Sequence, residues 1–334
     1  MKGEILMQRS NYKVAVLGAG AIASHHFDAI AATDGFEACA VADIDGEKAC
    51  GIAARYNIAA YRDYREMIRQ ERPDAAVIAL PHFLHKETAV FATEFGCHVM
   101  LEKPMALSVA ECEAIIEAAK AAKVRVLIGH TQHYMAHNIA ARQLVQSGRI
   151  GRVVMIHDAR HADYFAASRP DWFLEKAKSG GGILANLGTH SIDKIQWLVD
   201  SKVRKVNGAV SHYGERGDVE GSGMIYMELE NGIVAAVVQS GYQGVPRNET
   251  EIIGTKGMLK LRTGNSLWIS DGGEYKQLEV PQATAPFQLQ YLDLLQEIRS
   301  AEFNLDSAVY GRGVLAVLEA VYRAAETGTE QYVE

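Results

Sequence analysis

Residues 13–26 read Lys-Val-Ala-Val-Leu-Gly-Ala-Gly-Ala-Ile-Ala-Ser-His-His. The apolar run Val14 to Leu17 has the character of a strand buried on both faces, and the glycine-rich turn after it leads straight into a helical stretch. Gly18, Gly20 and Ala23 match the GxGxxG/A spacing: Gly18 permits a tight turn, Gly20 lets a pyrophosphate approach the backbone, and Ala23 packs the helix on the strand. Ala21 and Ile22 open that helix, where unpaired N–H groups favour phosphate. Asp43 follows about twenty residues on, at the end of the next apolar run, where the fingerprint places a carboxylate for the ribose hydroxyls. The bland alternative for Asp43 is a solvated loop carboxylate. No Lys or Arg occurs in Ile44-Asp45-Gly46, so NAD is the expected cofactor and NADP the less favoured one.

Outward from this stretch, short apolar runs alternate with helical ones as far as Gly129. EACAVADID, AAVIALP, CHVMLEKP and VRVLIGH read as strands, and helices are expected over 21–33, 47–56, 64–70, 86–95 and 108–122. Ser108 and Glu111 have capping-box spacing. The alternation predicts an α/β Rossmann domain, a doubly wound parallel sheet over residues 11–130, with its ligand at the carboxyl ends of the strands. After a linking helix over 136–147 the pattern changes to longer strands with hairpin turns, including Asn231-Gly232, a type I′ signal. Residues 131–334 are therefore expected to form an α+β domain with an open-faced, mostly antiparallel sheet. Helices over 287–300 and 314–327 close the chain and are free to pack back on the Rossmann domain.

With 334 residues, 48% hydrophobic and 22% charged, the chain is long enough for two ordinary domains. A net charge of −7 lacks the basic footprint of a nucleic-acid binder. A small-molecule partner is the better expectation. Cys39, Cys50, Cys97 and Cys112 show neither disulfide-framework nor zinc spacing, no run reaches membrane-spanning length, and the N-terminal residues read as a short disordered leader. A cytoplasmic protein is expected. No metal site is expected either, since His157 with His161, and His25 with His26, lack a third ligand at a recognisable spacing.

Glu102-Lys103-Pro104 after CHVML, GAGAIASHH at the first turn, ALPHFLH after the fourth strand and GGGILANLGTHSID (180–193) together resemble the glucose-fructose oxidoreductase, inositol dehydrogenase and rhizopine-catabolism family. The resemblance covers nearly the whole chain. It implies an NAD(P)-dependent oxidoreductase acting on a sugar, polyol or sugar derivative. It also implies that Lys103 bonds the reacting hydroxyl beside the nicotinamide, that His190 is the acid/base histidine, and that Leu80, Pro81, His85 and Glu102 lie on the cofactor side. The chain departs from the family pattern in three places: Asn186 replaces the usual Asp, Leu80-Pro81-His82 replaces Thr-Pro-Asn, and His133 replaces an Arg.

Oxidising a secondary alcohol requires a hydride acceptor, a proton acceptor and a donor that meets charge on oxygen. The Lys103 ammonium suits the last task, and His190 the proton. Asn186 and His190, four apart on a helix, share a face, so Asn186 is expected to orient the imidazole or a substrate hydroxyl. Leu184, Ile195 and Leu198 occupy the opposite, core face. Gly180-Gly181-Gly182 either lets backbone approach the substrate or forms a flexible loop. Arg160, His161, Tyr164 and Trp172 form a polar-aromatic stretch suited to a sugar; an ordered surface loop is the alternative. Arg160, Tyr164, Trp172 and His133 join Lys103, Asn186 and His190 as substrate-binding candidates. Competing functions are a redox-neutral NAD-dependent glycosidase or lyase, and a non-catalytic dinucleotide sensor. A homodimer or homotetramer through the open sheet is expected.

Overall fold

The computed structural model describes residues 11–281 and 284–334; the expected N-terminal leader falls on residues 1–10, outside them. β1 (Tyr12–Leu17), β2 (Phe36–Ala42), β3 (Ala59–Tyr61), β4 (Ala75–Ile78), β5 (His98–Leu101) and β6 (Val126–Ile128) form one sheet in the order β3-β2-β1-β4-β5-β6. Every pair in it is parallel. This is the doubly wound order, with its reversal between β1 and β4. Val14 to Leu17 and Ala75 to Ile78 are fully buried, as strands covered on both faces must be. β3 escapes sequence reading because three residues carry no period.

The intervening helices are α1 (Ala23–Ala31), α2 (Gly46–Tyr56), α3 (Tyr64–Glu71), α4 (His85–Glu94) and α5 (Val109–Ala122). Asp45, Asp63 and Ser108 cap α2, α3 and α5 with side-chain oxygens, which satisfies N–H groups a helix start leaves unpaired. Glu111 reaches back to Leu107 N at 3.0 Å. α1 and α4 begin without a side-chain cap.

The second half contains α6 (Ala136–Gln146), β7 (Val153–His161), the one-turn helix α7 (Lys176–Ser179), a π-helical turn over Leu184–Gly188 and α8 (Thr189–Val199). There follow β8 (Val203–Ser211), β9 (Ser222–Leu229), β10 (Val234–Ser240), β11 (Arg247–Gly254), β12 (Gly257–Arg262), β13 (Ser266–Ser270) and β14 (Lys276–Leu278). The chain ends with α9 (Pro286–Arg299), α10 (Asp306–Thr327) and β15 (Gln331–Tyr332). The nine strands run β14-β13-β12-β11-β7-β10-β9-β8-β15, antiparallel except for β7 with β10. Alternation along β9 sends Ile225 and Met227 into the core while Met224 and Tyr226 face outward. One side of this sheet is thus packed under α8 and α10 and the other left open. Tyr291, Leu294 and Leu295 of α9 instead join the core around Val14, Val16 and Phe27.

Two expectations need correction. The Asn231-Gly232 hairpin is a three-residue loop in which Gly232 N donates to Leu229 O at 3.0 Å, and only Gly232 has positive φ, +82°. That is the bulged alternative to type I′. The last helix starts eight residues earlier than the expected Val314, at Asp306. Gly311 hides it from propensity, and the reason for the glycine is tertiary: a Cβ there would lie 2.9 Å from Ile128 of β6. Among the described residues no helix is long and apolar enough to cross a membrane.

Candidate active site

The ends of β1, β4, β5 and β6 bring Gly18, Leu80, Glu102-Lys103 and Gly129-His130 to one edge of the parallel sheet. At the first turn Gly18 has φ +104°, and a Cβ there would meet the Ala79 carbonyl oxygen at 2.3 Å. Only glycine fits. Gly20 is different: a Cβ on it would meet nothing within 4 Å. Open space therefore faces the turn and the uncapped start of α1, where Ala21 and Ile22 sit. Asp43 accepts from Ala19 N at 2.8 Å and from Asp45 N at 2.9 Å, which fixes its carboxylate at the rim of the same space. These residues fit a dinucleotide: a close-approach glycine, an uncapped helix start for pyrophosphate and a carboxylate fixed at the turn by hydrogen bonds. Arg62, remote in sequence, passes over Gly46, with Nε 3.1 Å from the position of a Cβ there.

The next layer is structural support. His85 is fully buried, with its ring nitrogens 2.9 Å from Pro104 O and 2.9 Å from Leu80 O, so it ties the loop after β4 to the one after β5. Burial pushes its pKa down. Its polar atoms are thus committed to backbone. The Glu102 carboxylate accepts from His26 Nε2 at 3.1 Å, and His26 is held in turn by Tyr291 of α9 at 3.0 Å. Leu80 and Pro81 are half-buried at the end of β4, with a Leu80 methyl 3.4 Å from the position a Gly18 Cβ would take.

Lys103 reaches across to the second domain. Its Nζ donates to Asn186 O at 2.9 Å and to Asn186 Oδ1 at 3.0 Å. Burial lowers its pKa to about 8, with Glu102 opposing and the charges of Arg160 and Arg169 adding to the fall. Asn186 therefore orients Lys103, whereas the sequence pointed to the imidazole of His190 or a substrate hydroxyl. His190 sits one residue into α8 with a buried Nδ1 that lacks a hydrogen-bond partner. Burial, then the charges of Lys103 and Arg160, holds it well below the ordinary histidine range. Leu184, Ile195 and Leu198 are fully buried on the far side of this segment.

The π-helical turn that carries Asn186 is held by a residue the sequence did not single out. Glu220, buried, accepts from Gly182 N at 2.7 Å, Leu184 N at 2.9 Å and Tyr322 Oη of α10 at 2.9 Å. A Cβ on Gly181 would lie 2.0 Å from the Tyr322 hydroxyl, and one on Gly182 2.0 Å from Glu220 O. Gly181 and Gly182 thus make room for this clamp, a role that neither the substrate-approach nor the flexible-loop reading contained.

This chain matches the description "Oxidoreductase family, NAD-binding Rossmann fold" over residues 12–130 and the GFO/IDH/MocA C-terminal domain over residues 139–260. The chain belongs to the GFO/IDH/MocA oxidoreductase family. It is 28% identical to the 2,7-anhydro-N-acetylneuraminate hydratase of Mediterraneibacter gnavus, over 66% of this chain and 60% of that one. It is 29% identical to the inositol 2-dehydrogenase of Salmonella typhimurium, over 79% and 77%. The crystal structure of aldose-aldose oxidoreductase from Caulobacter crescentus complexed with glycerol superposes with a TM-score of 0.88 at 27% identity, covering 96% of this chain and 99% of that one. The chain spans about three-fifths of the length of some curated relatives it matches.

Within the GFO/IDH/MocA frame the remaining candidates separate. Tyr164 is fully buried, its hydroxyl facing Asn186, and the Arg169 guanidinium lies 4.0 Å from its ring centroid. Burial raises the Tyr164 pKa to about 12, so it stays protonated. Its place corrects a direct sugar-stacking role to one of support. Trp172 is half-buried, stacked on Phe173 at 3.7 Å and edge-on to His82 at 4.8 Å. His82 Nδ1 donates to Ser179 O at 2.9 Å, joining the two domains beside the site. His133 departs from expectation. It donates to Asp193 Oδ1 at 2.6 Å, stacks on Trp197 at 4.7 Å and opens onto a cavity of about 750 Å³ that also includes Tyr134 and Asp200 but none of Lys103, Asn186 and His190. Asp193 is shared with His130 at 3.4 Å and Tyr310 Oη at 2.9 Å. Burial would raise its carboxyl, but the two imidazoles outweigh that and hold it low.

Proposed function

We propose that the chain is an NAD-dependent dehydrogenase that interconverts a secondary alcohol and a ketone on a sugar, polyol or sugar derivative. The observation that carries this reading is the Lys103 amine held by both oxygens of Asn186 beside the open dinucleotide turn. A neutral amine with both N–H groups given to Asn186 keeps one lone pair for the substrate hydroxyl. As the carbon loses its hydride, Lys103 takes the hydroxyl proton and becomes an ammonium whose third N–H meets the carbonyl oxygen. Its pKa of about 8 matches this exchange at near-neutral pH. His190, held neutral, aligns the same oxygen. The nicotinamide, when bound, supplies the hydride acceptor.

Asp43 favours NAD, because its carboxylate meets a ribose hydroxyl and repels a 2′-phosphate. The cytoplasm is the compartment we assign, consistent with four unpaired cysteines. The test is absorbance of reduced nicotinamide with NAD or NADP across sugars, inositols and sugar acids, with Lys103→Met as control. A substrate-dependent rise with NAD that falls roughly 10³-fold in the variant is expected; full turnover by Lys103→Met would sink the reading. A second reading, redox-neutral chemistry, is favoured by the relative named a hydratase. Product formation without net NADH would select it.

A further inference from the structure

Two guanidinium groups whose charges act on Lys103 have no carboxylate hydrogen-bonded to them among the described residues. Arg160 lies on β7 with the parity of Ile156 and Asp158, whose side chains are buried under α8. Its guanidinium makes no hydrogen bond or ion pair among the described residues, yet its charge acts on both Lys103 and His190. Arg169 lies over the rings of Tyr164 and Phe173, at 4.0 and 5.2 Å. Its Nε is buried without a hydrogen-bond partner, and its charge too reaches Lys103.

The nearby carboxylates are otherwise engaged. Asp158 binds Lys194 at 2.6 Å together with Ser191 and Thr250; Glu102 binds His26, and Glu220 holds the π-helical turn. Asp163, exposed, acts on Arg169 only at a distance. Cations removed from water are costly unless a counter-charge meets them, and planar guanidinium groups pair with carboxylate or phosphate oxygens two at a time.

Resting on the dehydrogenase reading, we propose that the substrate is an anion, and that Arg160 and Arg169 bind its carboxylate or phosphate group while Lys103 meets the reacting hydroxyl. A neutral sugar leaves both guanidinium groups with carboxylates acting only at a distance, Asp158 on Arg160 and Asp163 on Arg169, so it binds more weakly than its acid or phosphate ester.

The experiment is isothermal titration of the NAD-saturated protein with the neutral sugar, the aldonate and the phosphate monoester of the gluco, galacto and manno series, with NADH followed in the same samples. At least one anionic member should bind roughly 10- to 100-fold more tightly than its neutral counterpart. Arg160→Gln and Arg169→Gln should each remove most of that difference and leave the Kd for NAD unmoved. Carboxylate against phosphate is decided by which member binds. No preference for an anion in any series overturns the proposal, as does an equal loss of NAD affinity in the arginine variants, which would assign the arginines to the cofactor. Anion binding without NADH keeps the subsite and refutes the dehydrogenase reading instead.

Discussion

At the residue scale, Asn186 is the residue to which the buried Lys103 amine bonds. The Asn186 side chain accepts one N–H of the lysine through Oδ1 and the Asn186 backbone carbonyl accepts a second, neither offering negative charge, so burial and the two arginines prevail and the amine reaches about 8. A base works only when unprotonated. Alcohol oxidation should therefore rise with pH through about 8, and ketone reduction should fall over the same range. In Asn186→Asp the added carboxylate favours the ammonium, and the oxidation profile should move alkaline by about one unit; pH profiles of kcat for the two proteins check this. An unmoved profile would mean that Lys103 is not the titrating base. Lys103, Asn186 and His190 are legible in sequence because short motifs carry them. That Asn186 turns to Lys103 is not legible, because the two lie 83 positions apart.

At the scale of elements, the βα turn after β1 and the π-helical turn before α8 do opposite things with glycine. Gly20 faces open space, so Gly20→Val should leave Tm nearly unchanged while raising the Kd for NAD by more than about tenfold, read by melting and by titration. A large fall in Tm would show the space to be needed by the protein itself. Gly181 and Gly182 instead make way for Tyr322 and Glu220. Replacing the carboxylate in Glu220→Gln weakens bonds to two backbone N–H groups and should cost about 2 kcal/mol of stability. The same variant should lower kcat while the Kd for NAD holds, because the clamp positions Asn186 and lies outside the nucleotide turn. Wild-type kcat with reduced stability would confine Glu220 to folding. The glycine triplet is visible in sequence; its purpose is not, since the atoms that need the room come from β9's approach and from α10.

At the scale of the whole molecule, two layers meet along the carboxyl ends of β4, β5 and β6, and the second sheet keeps one face open. Met155, Met224 and Tyr226 are 46%, 62% and 43% exposed on that face, an apolar surface suited to a second copy of the chain. Sizing with light scattering should give an oligomer, and Met224→Glu with Tyr226→Glu should shift it toward monomer; a monomeric wild type would refute this. The alternation of apolar strands and helices, the glycine spacing and Asp43 by themselves determined the Rossmann half, because each depends on neighbours in the chain and on the period of one element. The same local reach determined Lys103 and His190 as candidates. Only the tertiary structure decided that Arg62 lies beside the Asp43 loop, that His133 serves Asp193, and that the charges of Arg160 and Arg169 act on Lys103. Charge and packing act through space, and residues brought together by sheet order and helix docking leave no spacing in the chain from which their meeting can be read.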